Sequence, residues 1–396
     1  MYFCCMNQNF KMLAKTLFGF EEILAKELRS LGATDIKIGV RNVTFVGDNG
    51  FMYKANLGLR TAVRILKPIR TFKVKNEDDL YKQLQTIKWD NYLDVDGSFA
   101  VDAVANAENF THSHYLSLKT KDAIVDYFRD RFGKRPNVDL DHPDLKINVH
   151  IYKEDCTVSF DSSGDSLHKR GYRSATNIAP INEVLAAGLI LLSGYDGTQH
   201  FIDPMCGSGT ILIEAAMIAN NIPANINRRE FGFEKWNDFD EDLFDVIRNS
   251  LLKKVRESSR EIIGYDRASS AVFKATDNVE NASLEEFITI RQDNFFKTKK
   301  KLEGKTIVLF NPPYGERLEI DVPAFYKEIG NTLKQGYPNT NAWLITSDFE
   351  NGLKSVGLRT SKRIKVYNGK LECRLVMYEM YEGSKKRKYQ NKKEVN

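Results

Sequence analysis

At 396 residues the chain exceeds one ordinary domain, so two or three are expected. Its 42% hydrophobic and 28% charged residues suit a soluble protein with large cores, and no apolar run is long enough to span a membrane. The formal net charge of +5 permits nucleic acid as a partner without establishing it. The five cysteines (Cys4, Cys5, Cys156, Cys206 and Cys373) are an odd number with no C-x-x-C pair, so neither a disulfide framework nor a zinc site is indicated. The opening MYFCCMNQNF lacks a basic region before a hydrophobic one, so a secretory leader is not expected and the cytoplasm is.

Residues 10–64 predict a small α+β unit. Lys11–Leu17 and Arg41–Val46 suit strands, and Phe20–Leu31 suits a helix with Ile23, Leu24, Leu28 and Leu31 on one face and Gly32 at its end. Residues 65–162 predict a second unit, with helices near Asp78–Leu84 and Tyr115–Phe132 and strands near Ser98–Val104, Lys146–Tyr152 and Cys156–Asp161. Its cations include Lys119, Lys121 and Arg129. Singly they are solvated faces, but together they could track a phosphate backbone. His112 and His114 have no cysteine or carboxylate pattern beside them to make a metal site.

The polar run Asp161–Ser166 reads as a junction, and 163–182 as a linker and strap. Lys169, Arg170, Tyr172 and Arg173 crowd into the strap. They predict an RNA-facing segment, with the cations on phosphates and Tyr172 able to stack. Ala179-Pro180-Ile181-Asn182-Glu183 then opens a helix.

From 183 to 383 strands and helices alternate, the sign of a mainly parallel sheet. The strands are Gln199–Ile202, Glu261–Tyr265, Phe287–Arg291, Thr306–Phe310 and Ala342–Thr346, followed by Arg363–Val366 and Leu371–Met380 across an Asn368-Gly369 hairpin. After the first strand comes FIDPMCGSGTILIEAA, in which Asp203-Pro204 leads into Cys206-Gly207-Ser208-Gly209 and a helix from Thr210. Strand, Gly-x-Gly turn, helix makes a nucleotide-sized hole at a helix N-terminus. No third glycine follows, so the stretch departs from the dinucleotide fingerprint. The second and third strands end at Asp266 and Asp293-Asn294, on the rim where α/β sheets bind ligands. Between Asp203 and Asp266 lies an excess, Asn220–Arg260, with Phe231, Phe233, Trp236 and Phe239 among acids. It is expected to be a helical insertion packed on that rim, in preference to a lid over substrate. The fourth strand runs into Asn311-Pro312-Pro313-Tyr314, where two prolines end it sharply and hold an Asn and a Tyr on either side. Residues 384–396 are a basic tail, expected to be disordered.

Asn311-Pro312-Pro313-Tyr314 resembles the [DNS]-P-P-[YFW] tetrapeptide of S-adenosylmethionine-dependent N-methyltransferases. THSHYLSLKTKDAIVDYFR resembles the THUMP domain, and residues 10–162 as a whole resemble the ferredoxin-like and THUMP domains joined to RNA-modifying enzymes. HKRGYR and API-x-E before the glycine turn are similar to the large-subunit ribosomal RNA N2-guanine methyltransferases, the RlmL-like group. The resemblance covers roughly 10–380. It implies an α/β Rossmann-like class I methyltransferase domain, with a seven-stranded sheet ending in a β-hairpin, preceded by α+β ferredoxin-like and THUMP domains that grip RNA. It also implies S-adenosyl-L-methionine as cofactor, held by Asp203, Pro204, Cys206, Gly207, Ser208, Gly209, Thr210, Asp266, Asp293, Asn294 and Asn311. Asp203 and the turn would face the methionine part, Asp266 the ribose hydroxyls and Asp293 the adenine amine.

An exocyclic amino group is a poor nucleophile because its lone pair is delocalised. The Asn311 side-chain oxygen and the Pro312 carbonyl can accept its two N–H bonds and aim the lone pair, and Tyr314 can stack on a flipped base, with no metal needed. The expected substrate is large-subunit ribosomal RNA before full assembly. A tRNA guanine-N2 or nucleic-acid adenine-N6 methyltransferase and a non-catalytic RNA-binding assembly protein stay open. Some relatives carry a second methyltransferase domain, for which this chain ends too soon.

Overall fold

The computed structural model describes residues 9–107, 109–110, 112–174, 181–313 and 321–382. Tyr314, Pro180 and the basic tail lie outside them. The chain forms two compact units.

The first unit is built from the opening strand, Leu24–Leu167 and Arg228–Ser250. Its strands are β1 (Phe10–Thr16), β2 (Thr34–Ile38), β3 (Asn42–Gly47), β4 (Ala62–Lys73), β5 (Ser98–Asn106), β6 (Asn137–Val138), β7 (Leu145–Tyr152) and β8 (Asp155–Asp161). They form one sheet in the order β2-β3-β1-β4-β8-β7-β5-β6. β4 runs across positions 64 and 65 and pairs with β1 on one side and β8 on the other, so the ferredoxin-like and THUMP-like parts share a single sheet. β1 alternates as a half-buried strand should, with Met12 and Ala14 fully buried and Lys11 exposed. The helix Ser113–Phe132 stops where Gly133 turns left-handed, at φ 66°.

Arg228–Ser250 corrects the expectation of an insertion packed on the ligand rim. These residues belong to the first unit, where Phe231, Phe233 and Trp236 are buried. Phe233 stacks on Tyr53 at 4.5 Å and on Phe231 at 5.2 Å, and Phe239 and Phe244 meet Tyr53 edge-on. Trp236 packs edge-on against Phe160 of β8. Among the acids between the aromatics, Asp238 is exposed, Glu234 is half-buried and accepts the Phe231 N–H at 2.7 Å, and Asp240 opens the helix Glu241–Leu252 by accepting the Leu243 N–H at 2.9 Å.

The second unit comprises Leu17–Ile23, His168–Asn227 and the chain from Leu251 onward. Its strands are β9 (His200–Asp203), β10 (Ile262–Asp266), β11 (Ile288–Gln292), β12 (Thr306–Phe310), β13 (Thr340–Thr346), β14 (Lys362–Asn368) and β15 (Leu371–Glu379), ordered β11-β10-β9-β12-β13-β15-β14. The first five are parallel, β15 is antiparallel to β13, and β14, antiparallel to β15, runs in the direction of the first five. From β9 the chain builds outward to β10 and β11, then crosses to β12 on the other side. That reversal opens a crevice at the strands' carboxyl ends beside β9. Helices Glu183–Leu192, Thr210–Ala219 and Ser269–Asn281 cover one face, and Val322–Gly336 covers the other. The hairpin turn falls one residue later than Asn-Gly suggests: Asn368 pairs with Leu371, leaving Gly369 (φ 64°) and Lys370 as the loop.

Candidate active site

β9 ends at Asp203, which is 1% exposed and accepts the Met205 N–H at 3.1 Å. Burial pushes its carboxyl well above the usual carboxylate range, and the neighbouring Asp266 charge adds to the rise. The chain then turns back, and the Cys206 N–H donates to the Tyr265 carbonyl at 2.9 Å, fastening the turn to β10. Gly207 (φ 55°) and Gly209 (φ 81°) take the left-handed conformations that favour glycine. A Cβ on Gly209 would also meet Ala275 of the adjacent helix at 3.3 Å. Gly209 caps the helix Thr210–Ala219 without a side-chain hydrogen bond, leaving its first N–H groups without intrahelical partners.

Asp266, at the end of β10, uses one oxygen to accept the Gly207 N–H at 3.0 Å and the other to accept the Ala268 N–H at 3.0 Å. Each oxygen keeps a second lone pair for a ligand hydroxyl. Asp293 follows β11 with its carboxylate exposed. Its own N–H donates to the Asp266 carbonyl at 3.0 Å, and its side chain accepts the Asn294 N–H at 2.7 Å. Asn294 accepts from the Phe296 N–H at 3.1 Å and so caps a short turn. Asp203, Asp266 and Asp293 therefore end three successive neighbouring strands, a row about 10 Å long at ordinary strand spacing.

On the other side of β9, Asn311 is the first residue after β12. Its side-chain oxygen is buried and accepts no hydrogen bond from any described residue. Pro312 behind it is buried and Pro313 half-buried.

The strap residues are placed differently from expectation. Arg170 and Tyr172 are each 1% exposed, too deep to face RNA. The Arg170 Nε donates to Glu214 at 3.3 Å, its guanidinium reaches Asn225 at 2.9 Å, and the Tyr172 hydroxyl donates to the same Glu214 oxygen at 3.2 Å. The cause is Glu214 itself, a carboxylate inside a fully buried helix, which needs charge and hydrogen bonds there. Arg173 is engaged with the glycine turn: it donates to Glu183 at 2.7 Å, to the Thr210 hydroxyl at 2.9 Å and to the Ser208 hydroxyl at 3.4 Å. Asn278 completes the brace, donating to the Ser208 carbonyl at 3.0 Å and accepting the Ser174 N–H at 3.2 Å. Of the strap's predicted contacts only Lys169 is exposed. On the helix Ser113–Phe132, Lys119 pairs with Asp78 at 3.2 Å, Lys121 with Asp122 at 2.5 Å and Arg129 with Asp126 at 3.5 Å. The sequence showed Glu183 only as a helix opener, and Glu214, Asn225 and Asn278 not at all. A lone acid in the apolar run TILIEAAMIA was the signal for Glu214.

A parallel sheet of this strand order, with a glycine turn after its central strand, acids on the next two strand ends and a closing hairpin, defines a class I S-adenosylmethionine-dependent methyltransferase domain. Residues 170–377 match the RMKL-like methyltransferase domain, 74–161 the THUMP domain and 11–66 the RlmL ferredoxin-like domain, and the chain belongs to the RMKL-like methyltransferase family. It is 37% identical over 370 residues to "Putative RNA methyltransferase slr0064" of Synechocystis sp., covering 92% of this chain and 95% of that one. It is 34% identical over 389 residues to "Ribosomal RNA large subunit methyltransferase K/L" of Syntrophotalea carbinolica, covering 95% of this chain and 54% of the relative, so it spans about half that protein's length. The solved structure of SMU.472 complexed with SAH is 31% identical, with a TM-score of 0.84, over 96% of this chain and 100% of that one. The glycine turn, the exposed Asp293 carboxylate and the unused lone pairs of Asp266 fit a nucleoside carrying an amino-acid tail.

Proposed function

We propose that this methyltransferase acts on the exocyclic N2 amino group of a guanine in large-subunit ribosomal RNA. Asn311 carries the reading: a buried amide oxygen with no described donor, at the carboxyl end of the strand beside β9, is an acceptor awaiting a ligand's N–H. Asn311 takes one hydrogen of the amino group and the Pro312 carbonyl takes the other, which turns the nitrogen lone pair toward the methyl donor. Bound S-adenosylmethionine supplies an electrophilic methyl group on a sulfonium. Asp203 and the Gly207–Gly209 turn hold its methionine part, Asp266 the ribose hydroxyls, and Asp293 with Asn294 the adenine edge. Tyr314 stacks on the flipped base, the role that its family tetrapeptide implies. The RNA substrate is supported by the THUMP match and by the name of the Syntrophotalea relative.

Nucleoside mass spectrometry of ribosomal RNA and tRNA from cells with and without the protein tests this. Loss of one N2-methylguanosine from large-subunit ribosomal RNA is expected. Loss confined to tRNA, or loss of N6-methyladenosine instead, would replace this reading with one of the alternatives.

A further inference from the structure

Between Arg359 and Arg374 the terminal hairpin carries Arg359, Lys362, Arg363, Lys365, Lys370 and Arg374 against one acid, Glu372. Basic residues on an edge strand discourage edge-to-edge pairing, which accounts for exposed lysines on β14. It does not account for Arg374, which lies on β15, an interior strand between β13 and β14.

Arg374 is the direct cross-strand partner of Lys365. Like charges in that position are unfavourable, and the one acid on the hairpin, Glu372, pairs with Lys365 at 2.6 Å and feels the Arg374 charge only from beyond ion-pair distance. The Arg374 guanidinium instead lies over the Phe349 ring, 4.3 Å from its centroid. Arg363, two residues from Lys365 on the same strand face, donates its Nε to the Thr360 hydroxyl at 2.8 Å. Among the described residues neither Arg363 nor Arg374 has a carboxylate within ion-pair distance. A guanidinium held against a ring and bonded to no carboxylate can still offer N–H donors to a phosphate.

The position is set by register. Phe310 at the end of β12 pairs with Leu344, and Arg374 pairs with Thr346, the last residue of β13. Arg374 thus stands at the carboxyl rim, two strands from β12 and about 10 Å across from Asn311.

We infer that Arg374 and Arg363 form a phosphate-binding surface for the RNA backbone beside the methylated base. This rests on the reading of the substrate as RNA. The test uses the full chain, deproteinised large-subunit ribosomal RNA as probe, and binding measured over a range of potassium chloride concentrations. Arg363→Gln/Arg374→Gln should flatten the slope of log Kd against log salt by about 1.5, two phosphate contacts at roughly 0.7–0.9 each. Arg374→Lys should retain the wild-type slope. SAH binding by calorimetry and the melting temperature should be unchanged in all variants. A double variant with the wild-type slope overturns the inference, as does one whose SAH binding or melting temperature falls with its RNA binding. Wild-type protein that binds no RNA would remove the RNA reading and this surface together, whereas wild type and double variant binding RNA alike would remove only the surface.

Discussion

Arg173 shows how far a residue's meaning depends on what it touches. As sequence it is one cation among several beside a tyrosine. As structure it is a fork joining Glu183 to the Ser208 and Thr210 hydroxyls of the glycine turn. Arg173→Ala should weaken SAH binding by about 1–2 kcal/mol, the scale of a lost charged hydrogen-bond partner acting through a loop, with RNA affinity and its salt slope unchanged. Calorimetry and RNA binding measured side by side check this, and a loss of RNA affinity alone would restore the strap reading. Asn311 differs in kind, because the proposed function gives its buried, unpartnered acceptor to the reacting amino group. Asn311→Ala should lower the single-turnover methylation rate by roughly 10²-fold or more while SAH and RNA still bind. A rate equal to wild type would end the amino-methylation mechanism. Asp203 gives a pH signature. Burial, with the Asp266 charge, raises its pKa, so its contribution to stability is complete below the ordinary carboxylate pKa near 4 and is lost as pH rises through the raised value. Without ligand, Asp203→Asn should therefore gain stability relative to wild type as pH rises above about 4, even as SAH affinity falls. Melting temperatures of both proteins from pH 4 to 8 would show parallel curves if this were wrong.

Among the elements, the helix Thr210–Ala219 is fully buried along its length yet carries Glu214, and the strap is folded around that fact. Removing one member of a buried ion pair strands the other. Arg170→Met alone should cost about 3–5 kcal/mol in chemical denaturation, and Arg170→Met/Glu214→Leu should recover much of it. A mild single-variant effect would mean that the remaining polar neighbours satisfy Glu214 unaided. The same helix marks the limit of what could be read. The strands β9 to β13 were legible because each is a short run carrying apolar residues and ending in a polar one, and Asp203, Asp266, Asp293 and Asn311 stand at or just after four of those ends. β2 was not legible, since Thr34–Ile38 is almost wholly exposed and has no apolar face to give it a period. Nor was the destination of the strap, because HKRGYR carries no mark of burial and Glu214 and Asn225, which hold Arg170 and Tyr172, lie 42 or more residues away in sequence.

At the scale of the molecule, chain order and unit membership diverge. Leu17–Ile23 lies among residues of the first unit but belongs to the second, where Phe20 is fully buried. A Cβ on Gly188 would come within 2.0 Å of the Phe20 ring, so the ring fills the space this glycine leaves open on the helix Glu183–Leu192. Arg228–Ser250 lies among residues of the second unit but is built into the first. A cut near residue 165, which the linear domain order invites, therefore fails twice: it deletes Phe20 from one core and leaves Phe233, Phe239 and Phe244 without Tyr53. The fragment 165–385 should aggregate or melt well below the full chain and bind SAH weakly, although it contains the glycine turn and every carboxylate of the site. In the full chain, Phe20→Ala should cost about 3–5 kcal/mol, the scale for emptying a buried phenylalanine site, and should do so in the transition that SAH protects. Differential scanning calorimetry with and without SAH measures both effects. A fragment with the full chain's melting temperature and SAH affinity would show that the catalytic unit folds without its borrowed segment.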